Sequence, residues 1–358
     1  MCRTLFFELL QVALGTRRFL SKDLSAKEWI NLYEESEKQS IEGIMLSGLE
    51  QLPEEQRPPQ ELLLQWIGIT QMTEQNTQRL AKASLDAVDY FHKNGFACTL
   101  LKGGAVGRYY AKPDRRSSGD VDIWVEGSRE RIYEFARNYD KNGNLYGVNY
   151  QHIHFHLFDD VHLEVHIWPA YLNNPIHNKR FHKFCEKYRP SNIEAMPSLA
   201  FDRVFILLHC YRHMCGHGVG LRQIMDYYYV LKQGFTEEEQ SESVKWIKKL
   251  GMYRYASGIM WVLKEIFGLT PEYELLPPNE KEGKFILEEV LQTGNMGHGD
   301  NRNWGTLNTP LSRFFFNLRR DIHLFKHYPA EIGWQPFFSL WLYSWRILKG
   351  LNKEKDDD

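Results

Sequence analysis

The sequence predicts an α+β chain, a small mixed sheet flanked by N- and C-terminal helical regions. Three observations predict it. Apolar residues recur at helical spacing outside the middle of the chain, as with Trp29, Ile30 and Tyr33, and with Ile41, Ile44, Met45 and Leu49. Within the middle the period falls to two, in DVDIWV (120–125) and VHLEVHIW (161–168). Helix breakers stand at the borders, Asn94-Gly95 before this segment and Pro169 after it. The expected organisation is a helical region over 1–95, a sheet-bearing core over 96–170, a helical region over 171–352 and a solvated tail over 353–358.

Taken in order, residues 4–92 read as helices broken at Pro53 and Pro58-Pro59, the longest running from about Glu61 to His92. FACTLL (96–101) is the first expected strand. Gly103-Gly104 turn the chain into a short helix starting near Ala105, and DVDIWV forms the second strand. A helix follows from about Arg129 to Asn142. The stretch VNYQHIHFHLFDDVHLEVHIW (148–168) reads as a hairpin with a two-residue turn at Asp159-Asp160. Beyond Pro169, SLAFDRVFILLHCYRHMC and LRQIMDYYYVLKQ return to helical spacing, joined by GHGVG. GNMGHGDNRNWG (294–305) is expected as a surface connection. The aromatic run 332–351 is interrupted by Pro336, Arg346 and Lys349, too short and polar to span a bilayer. It is expected to pack on the core or on a partner, with an interfacial membrane helix as the alternative.

With 358 residues, 43% hydrophobic and 14% aromatic, the chain buries a real core and is not disordered. A formal net charge of -2 provides no global basic field, so a nucleic-acid partner is not favoured. Cys2, Cys98, Cys185, Cys210 and Cys215 are scattered without a C-x-x-C pair, which suits reduced thiols. The N-terminal apolar patch contains Glu8 and lacks a small-residue cleavage site, so a secretory signal is not expected. The expected location is cytoplasmic.

Asp120 and Asp122 stand two apart on the second strand and share one face, outward, while Val121, Ile123 and Val125 point into a core. Two close carboxylates repel, and a hard cation between them relieves that repulsion. Magnesium fits best, since it takes oxygen ligands and completes its shell with substrate phosphates. Gly103 and Gly104, directly upstream, let backbone N–H groups approach such a phosphate. Glu164, on a later strand, is the candidate third acid for a two-metal arrangement, and His162 and His166 share its face. Lys102 and Arg116 lie close enough to neutralise triphosphate charge, with Arg115 the solvent-facing member of its pair. A two-residue turn at Asp159-Asp160 sets His152, His154 and His156 opposite His162 and His166, which argues against zinc. Arg222 and Asp226, one helical turn apart, suit an i,i+4 ion pair.

L-K-G-G at 101–104, Tyr110, Pro113, Arg116, Asp120-Val-Asp122, Glu164-Val-His166, Leu221-Arg222 and Asp226 together resemble the polymerase-beta-like nucleotidyltransferase superfamily. More narrowly they resemble its large, mostly uncharacterised bacterial family, over roughly residues 25–330, most specifically near 100–170. The resemblance implies magnesium-dependent transfer of a nucleoside monophosphate from a nucleoside triphosphate to a hydroxyl or phosphate acceptor. By position, Asp120 and Asp122 would bind metals, Glu164 would bind one metal and deprotonate the acceptor, and Gly103 and Gly104 would hold the triphosphate. His166 would orient Glu164 or touch phosphate, and Arg222 would steady phosphates with Asp226 orienting it. The acceptor is expected to be a small molecule or a protein. Three departures stand out: the superfamily usually has Gly-Ser where this chain has Gly103-Gly104, its gap from there to the first Asp is usually a little shorter, and its third acid is commonly Asp. The alternative is a catalytically silent nucleotide-binding or protein-interaction module of the same fold. A third class, a zinc or HD-like hydrolase, would draw on Asp202, His209, His213 and His217.

Overall fold

The computed structural model describes residues 3–141, 143–216, 218–297, 300, 302 and 310–351. Cys2, His217, the tail 353–358 and, within 294–305, residues 298–299, 301 and 303–305 lie outside the described residues. Helices α1 (Arg3–Ala13), α2 (Ala26–Gln39) and α3 (Glu42–Gln51) lead into α4 (Gln60–Lys93). Ser25 and Glu28 close the start of α2 with a reciprocal capping box. The 34 residues of α4 reach about 50 Å, so one helix serves two regions. Its first half meets α3, where Trp66 Nε1 donates to the Glu42 carbonyl at 2.8 Å. Its second half buries Leu80, Ala83, Ala87, Val88 and Phe91 against the sheet. The chain then leaves through Gly95, whose φ of 78° is left-handed and costs glycine little.

The sheet is built from β1 (Cys98–Leu101), β2 (Val121–Val125), β3 (His152–His154) and β4 (Leu163–His166), in the order β1-β2-β4-β3. Helix α5 (Lys102–Gly107) follows β1 and α6 (Arg129–Tyr139) follows β2. β2 runs antiparallel to β1 and parallel to β4, and β3 is antiparallel to β4. Val121, Ile123, Val125, Leu163 and Val165 share a core with Phe91 and Ile132. The opposite face carries Asp122, Trp124, Glu164 and His166, and it is covered too, because Trp124 stacks on Phe201 at 5.7 Å within a second, larger core. Asp122 is therefore 4% exposed, at the foot of a cleft rather than on an outward surface as expected.

The covering layer is α7 (Pro175–Lys187), α8 (Leu199–Cys215), α9 (Leu221–Leu231), α10 (Glu237–Lys249), α11 (Tyr253–Phe267) and α12 (Glu280–Thr293). α11 packs on both α1 and α12, joining the two helical regions in one core. The chain continues as α13 (Pro310–Phe325), α14 (Pro329–Ile332) and α15 (Gln335–Leu348). Among the described residues no helix is long and apolar enough to cross a membrane.

Several expectations change. α5 begins at Lys102, so Gly103 and Gly104 lie in its first turn rather than before it, and α6 ends at Tyr139. The hairpin pairs His152 with His166 and Ile153 with Val165, one residue out of step with a turn at Asp159-Asp160. Burial decides this register: Ile153 and Phe155 go inside with Leu163 and Val165, and the loop between takes up the difference. A one-residue slip exchanges faces, so His152 and His154 join Glu164 and His166 instead of opposing them. α15 is not a core helix. Phe338 stacks on Tyr171 at 4.7 Å and Trp341 meets Tyr150 edge-on at 5.3 Å, while Phe337, Leu340, Tyr343 and Leu348 stay exposed.

Candidate active site

The sheet supplies an acidic floor. In the parallel pair Asp122 stands directly beside Glu164, and Asp120 lies one residue before β2, exposed at the mouth. Asp122 Oδ1 accepts from Lys102 Nζ at 2.6 Å and from His166 Nε2 at 2.7 Å. His166 Nε2 also lies 3.1 Å from Glu164 Oε2, which receives His152 Nδ1 at 3.0 Å. Lys102 reaches inward because its own backbone takes φ 45°, a left-handed conformation rare outside glycine. This strain sits where the strand must turn sharply into α5 with an ammonium aimed at Asp122.

These charges shift one another. Burial works against the Lys102 ammonium, but the charges of Asp122, Glu164 and Asp120 raise its pKa above the ordinary lysine value. Asp120 is pushed up to about 6, first by the neighbouring Asp122 charge and then by the crowding of the cleft. Burial pushes Glu164 up, yet hydrogen bonds from His152 and His166 prevail and hold its carboxyl well below the usual range. Burial opposes the His166 imidazolium, and its bonds to Asp122 and Glu164 raise it above an ordinary histidine.

The helices supply the opposite wall, and here the expected partners are exchanged. Asp226 does not pair with Arg222. It takes Arg116 in a buried two-pronged bridge, Nε to Oδ1 at 2.7 Å and Nη2 to Oδ2 at 2.7 Å, and accepts the Tyr110 hydroxyl at 2.6 Å. The reason is reach: Arg116 comes in from the β2 approach loop and lies over α9, so its planar fork meets the carboxylate face to face. Arg222 turns instead to the Ser117 carbonyl at 2.7 Å and to Asn295 Oδ1 at 3.4 Å. Arg116 Nη1 donates to Ser118 Oγ at 2.7 Å, so the 117–118 loop is clamped from two sides. Arg115 is the more exposed of its pair, but it binds Glu50 and Glu74 rather than solvent alone.

Lys102, Gly103, Arg116, Asp120, Asp122, Glu164, Arg222 and Asp226 all line one cleft of about 720 Å³, with His166 and Gly104 set behind its surface. Neither glycine is dictated by a left-handed backbone. A Cβ at Gly103 would come within 3.6 Å of Arg116 Nη1 and 3.7 Å of Ser118 Oγ, and one at Gly104 within 3.4 Å of Ser84 Oγ, all ordinary contacts. What glycine contributes at 103 is open floor between a guanidinium and a hydroxyl.

Of the other lining residues, sequence reasoning missed Ser118, Tyr171 and Arg212, set His152 on the opposite face, and read His209 and His213 only as a hydrolase row. The alternation of apolar Ile153 and Phe155 was a signal for His152. For Arg212, brought in by the packing of α8, there was none. His209 and His213 meet edge-on at 4.3 Å on the cleft wall. Asp202 does not join them, because Arg108 and Tyr109 hold its carboxylate at 3.0 Å each. A hydrolase built on that histidine row thus lacks its carboxylate among the described residues.

Two sets of ligand atoms lie within 4.8 Å of one another: Asp122, Glu164 and His166, and His152, His154 and Glu164. The first shares its oxygens with the acidic floor and suits a hard divalent cation on the carboxylates. The second is weakened as a zinc site by Asn149. Its Oδ1 accepts the backbone N–H groups of Gln151 and His152 at 2.8 and 2.9 Å, so its amide nitrogen, 2.7 Å from His152 Nε2, donates there. The His152 proton is then on Nδ1, facing Glu164, where a zinc ligand would need a lone pair.

A family model described as an uncharacterised nucleotidyltransferase matches residues 25–268, which is more than half of the chain. No curated protein and no solved structure matches it.

Proposed function

Because the chain belongs to the uncharacterised nucleotidyltransferase family, we propose that the cleft transfers a nucleoside monophosphate from a nucleoside triphosphate to a hydroxyl or phosphate acceptor, with magnesium and with residues 96–170 as catalytic core. The observation that carries this reading is the side-by-side register of Asp122 and Glu164, with Asp120 at the mouth, facing the loop clamped by Arg116 and Arg222. Kinship with the polymerase-beta-like superfamily is part of the proposal.

Asp120, Asp122 and Glu164 would hold the cation through carboxylate oxygens. Bound there, magnesium would draw charge from the reacting phosphate and acidify the acceptor hydroxyl. Lys102, 2.6 Å from Asp122 Oδ1, adds a positive charge beside Gly103, where the triphosphate would lie. Arg222 faces the same phosphates, and Asp226 acts through Arg116, holding it so that Ser117 and Ser118 stay in place. Glu164 is the candidate to take the proton of the attacking hydroxyl, although two imidazoles that hold it anionic also make it a weak base. The acceptor oxygen bonds to the α-phosphorus as the bridging P–O bond breaks in line, and pyrophosphate leaves.

One observation favours a second reading, the catalytically silent nucleotide-binding module: Lys102 and His166 already neutralise Asp122. Radiolabelled triphosphates incubated with candidate small-molecule and protein acceptors across a magnesium titration separate the two. Magnesium-dependent label transfer that disappears in Asp120→Ala supports the transferase. Triphosphate binding without consumption under every condition supports the silent module.

A further inference from the structure

We propose that His152 and His166 are positioning residues that decide which carboxylate oxygens of Glu164 and Asp122 face the cation, each acting through a different ring nitrogen. The inference rests on the reading of these acids as a cation site and adds what fixes their orientation.

The nitrogens are identified by their partners. The Trp168 carbonyl, 3.3 Å from His166 Nδ1, can only accept, so that nitrogen carries a hydrogen. His166 Nε2 faces two carboxylate oxygens, which also only accept, so it carries the second. His166 is fully buried, and it holds Asp122 Oδ1 and Glu164 Oε2 from beneath the floor. His152 works from the other end: its Nε2 accepts from the Asn149 amide at 2.7 Å, and its Nδ1–H is directed at Glu164 Oε2 at 3.0 Å, nearer than the Gln151 amide nitrogen at 3.4 Å. Asn149 is itself locked by two backbone N–H groups. A chain Asn149, His152, Glu164, His166, Asp122 therefore runs across β3, β4 and β2, ending on Lys102.

The consequence is a division of oxygens. Asp122 Oδ1 and Glu164 Oε2 are each engaged twice by protein donors. Asp122 Oδ2, and Glu164 Oε1 with only His154 Nε2 nearby at 4.0 Å, are left to turn toward the cleft and coordinate. Outer partners of this kind fix ligand orientation and raise metal affinity.

The ring nitrogens give a test, because the asparagine amide nitrogen overlays Nδ1 of histidine and the glutamine amide nitrogen overlays Nε2. Mn2+ serves as the probe, its free concentration read by electron paramagnetic resonance on the full chain, without nucleotide. Thermal melts accompany each variant. His152→Asn and His166→Gln are expected to keep Mn2+ affinity within a few-fold, whereas His152→Gln and His166→Asn lose about 10–100-fold. Should a change at the buried His166 prevent folding, the pair at His152 on the cleft wall decides alone. Wild-type Mn2+ binding with equal affinity in both variants at a position overturns the positioning role and leaves the transferase standing. A wild-type chain that binds no Mn2+, with or without nucleoside triphosphate, overturns both.

Discussion

The two walls of the cleft are built on opposite plans. The sheet wall takes its acids from residues close in sequence or adjacent in register: Asp120 and Asp122 on one approach, Glu164 beside them on the next strand. The helical wall takes its groups from far apart, Arg116 reaching Asp226 across 110 positions and Arg222 reaching back to Ser117 across 105. The sheet wall carries negative charge held by built-in donors. The helical wall carries guanidinium groups spent on clamping a loop. A wall assembled by strand alternation tunes chemistry, and a wall assembled by long-range bridges tunes shape, so the two should fail differently when cut.

The largest effect is expected on the sheet wall. Asp122→Asn should lower magnesium-dependent triphosphate consumption by about 10³-fold or more, the several kcal/mol that metal stabilisation of the transferring phosphate supplies. Because Lys102 and His166 lose their shared carboxylate, some stability goes as well, and a variant that stays folded by circular dichroism yet turns over normally would break the contrast. On the helical wall, Asp226→Asn strands the buried Arg116 charge and should cost about 3–5 kcal/mol of stability by urea unfolding. If it instead removed activity with no change in the unfolding midpoint, that wall would have to be read as chemical. The exposed pair of Lys112 and Glu50 beside the same loop is the control, and Lys112→Ala should stay within about 1 kcal/mol of wild type.

A further effect is a pH dependence in the helical wall's own support. Burial pushes Asp202 up to about 7, against the pull of Arg108 and Tyr109, from an ordinary value of 3.8. The folded state thus binds this proton more tightly than the unfolded chain. Its contribution is fully present below the unfolded pKa and is lost as pH rises through the folded one, across the window from about 4 to about 7. The difference in unfolding free energy between wild type and Asp202→Asn should drift in that direction across the window, and a flat difference would show that Asp202 stays ionised in the fold.

This contrast also explains what the sequence disclosed. The helical flanks and the strands expected at 96–101 and 120–125 follow from local period and breakers and are present, the strands at 98–101 and 121–125, whereas Glu164 as partner to the aspartates came from metal chemistry, and the register sets it beside Asp122. The burial of Asp122 does not follow, because β2 alternates as if one face were free, and only the packing of Phe201 on Trp124 covers the other. The histidine strand was misplaced because an Asp159-Asp160 turn was weighed above the apolar set Ile153, Phe155, Leu163 and Val165, and core burial is the stronger determinant of register. Arg116 with Asp226 left no sequence signal at all, since each has a nearer partner of opposite charge to suggest a different bridge. The aromatic helix α15 was legible in composition, but its uncovered outer side was not.

The backbone of Lys102 carries a trade that heat would expose. A left-handed conformation in a residue with a side chain costs about 1–3 kcal/mol, and glycine alone would be relaxed there. Yet glycine would discard the ammonium that balances Asp122. Position 102 can therefore be conformationally comfortable or electrically useful, never both, and Lys102→Gly should melt at a higher temperature than Lys102→Ala while neither restores the lost charge.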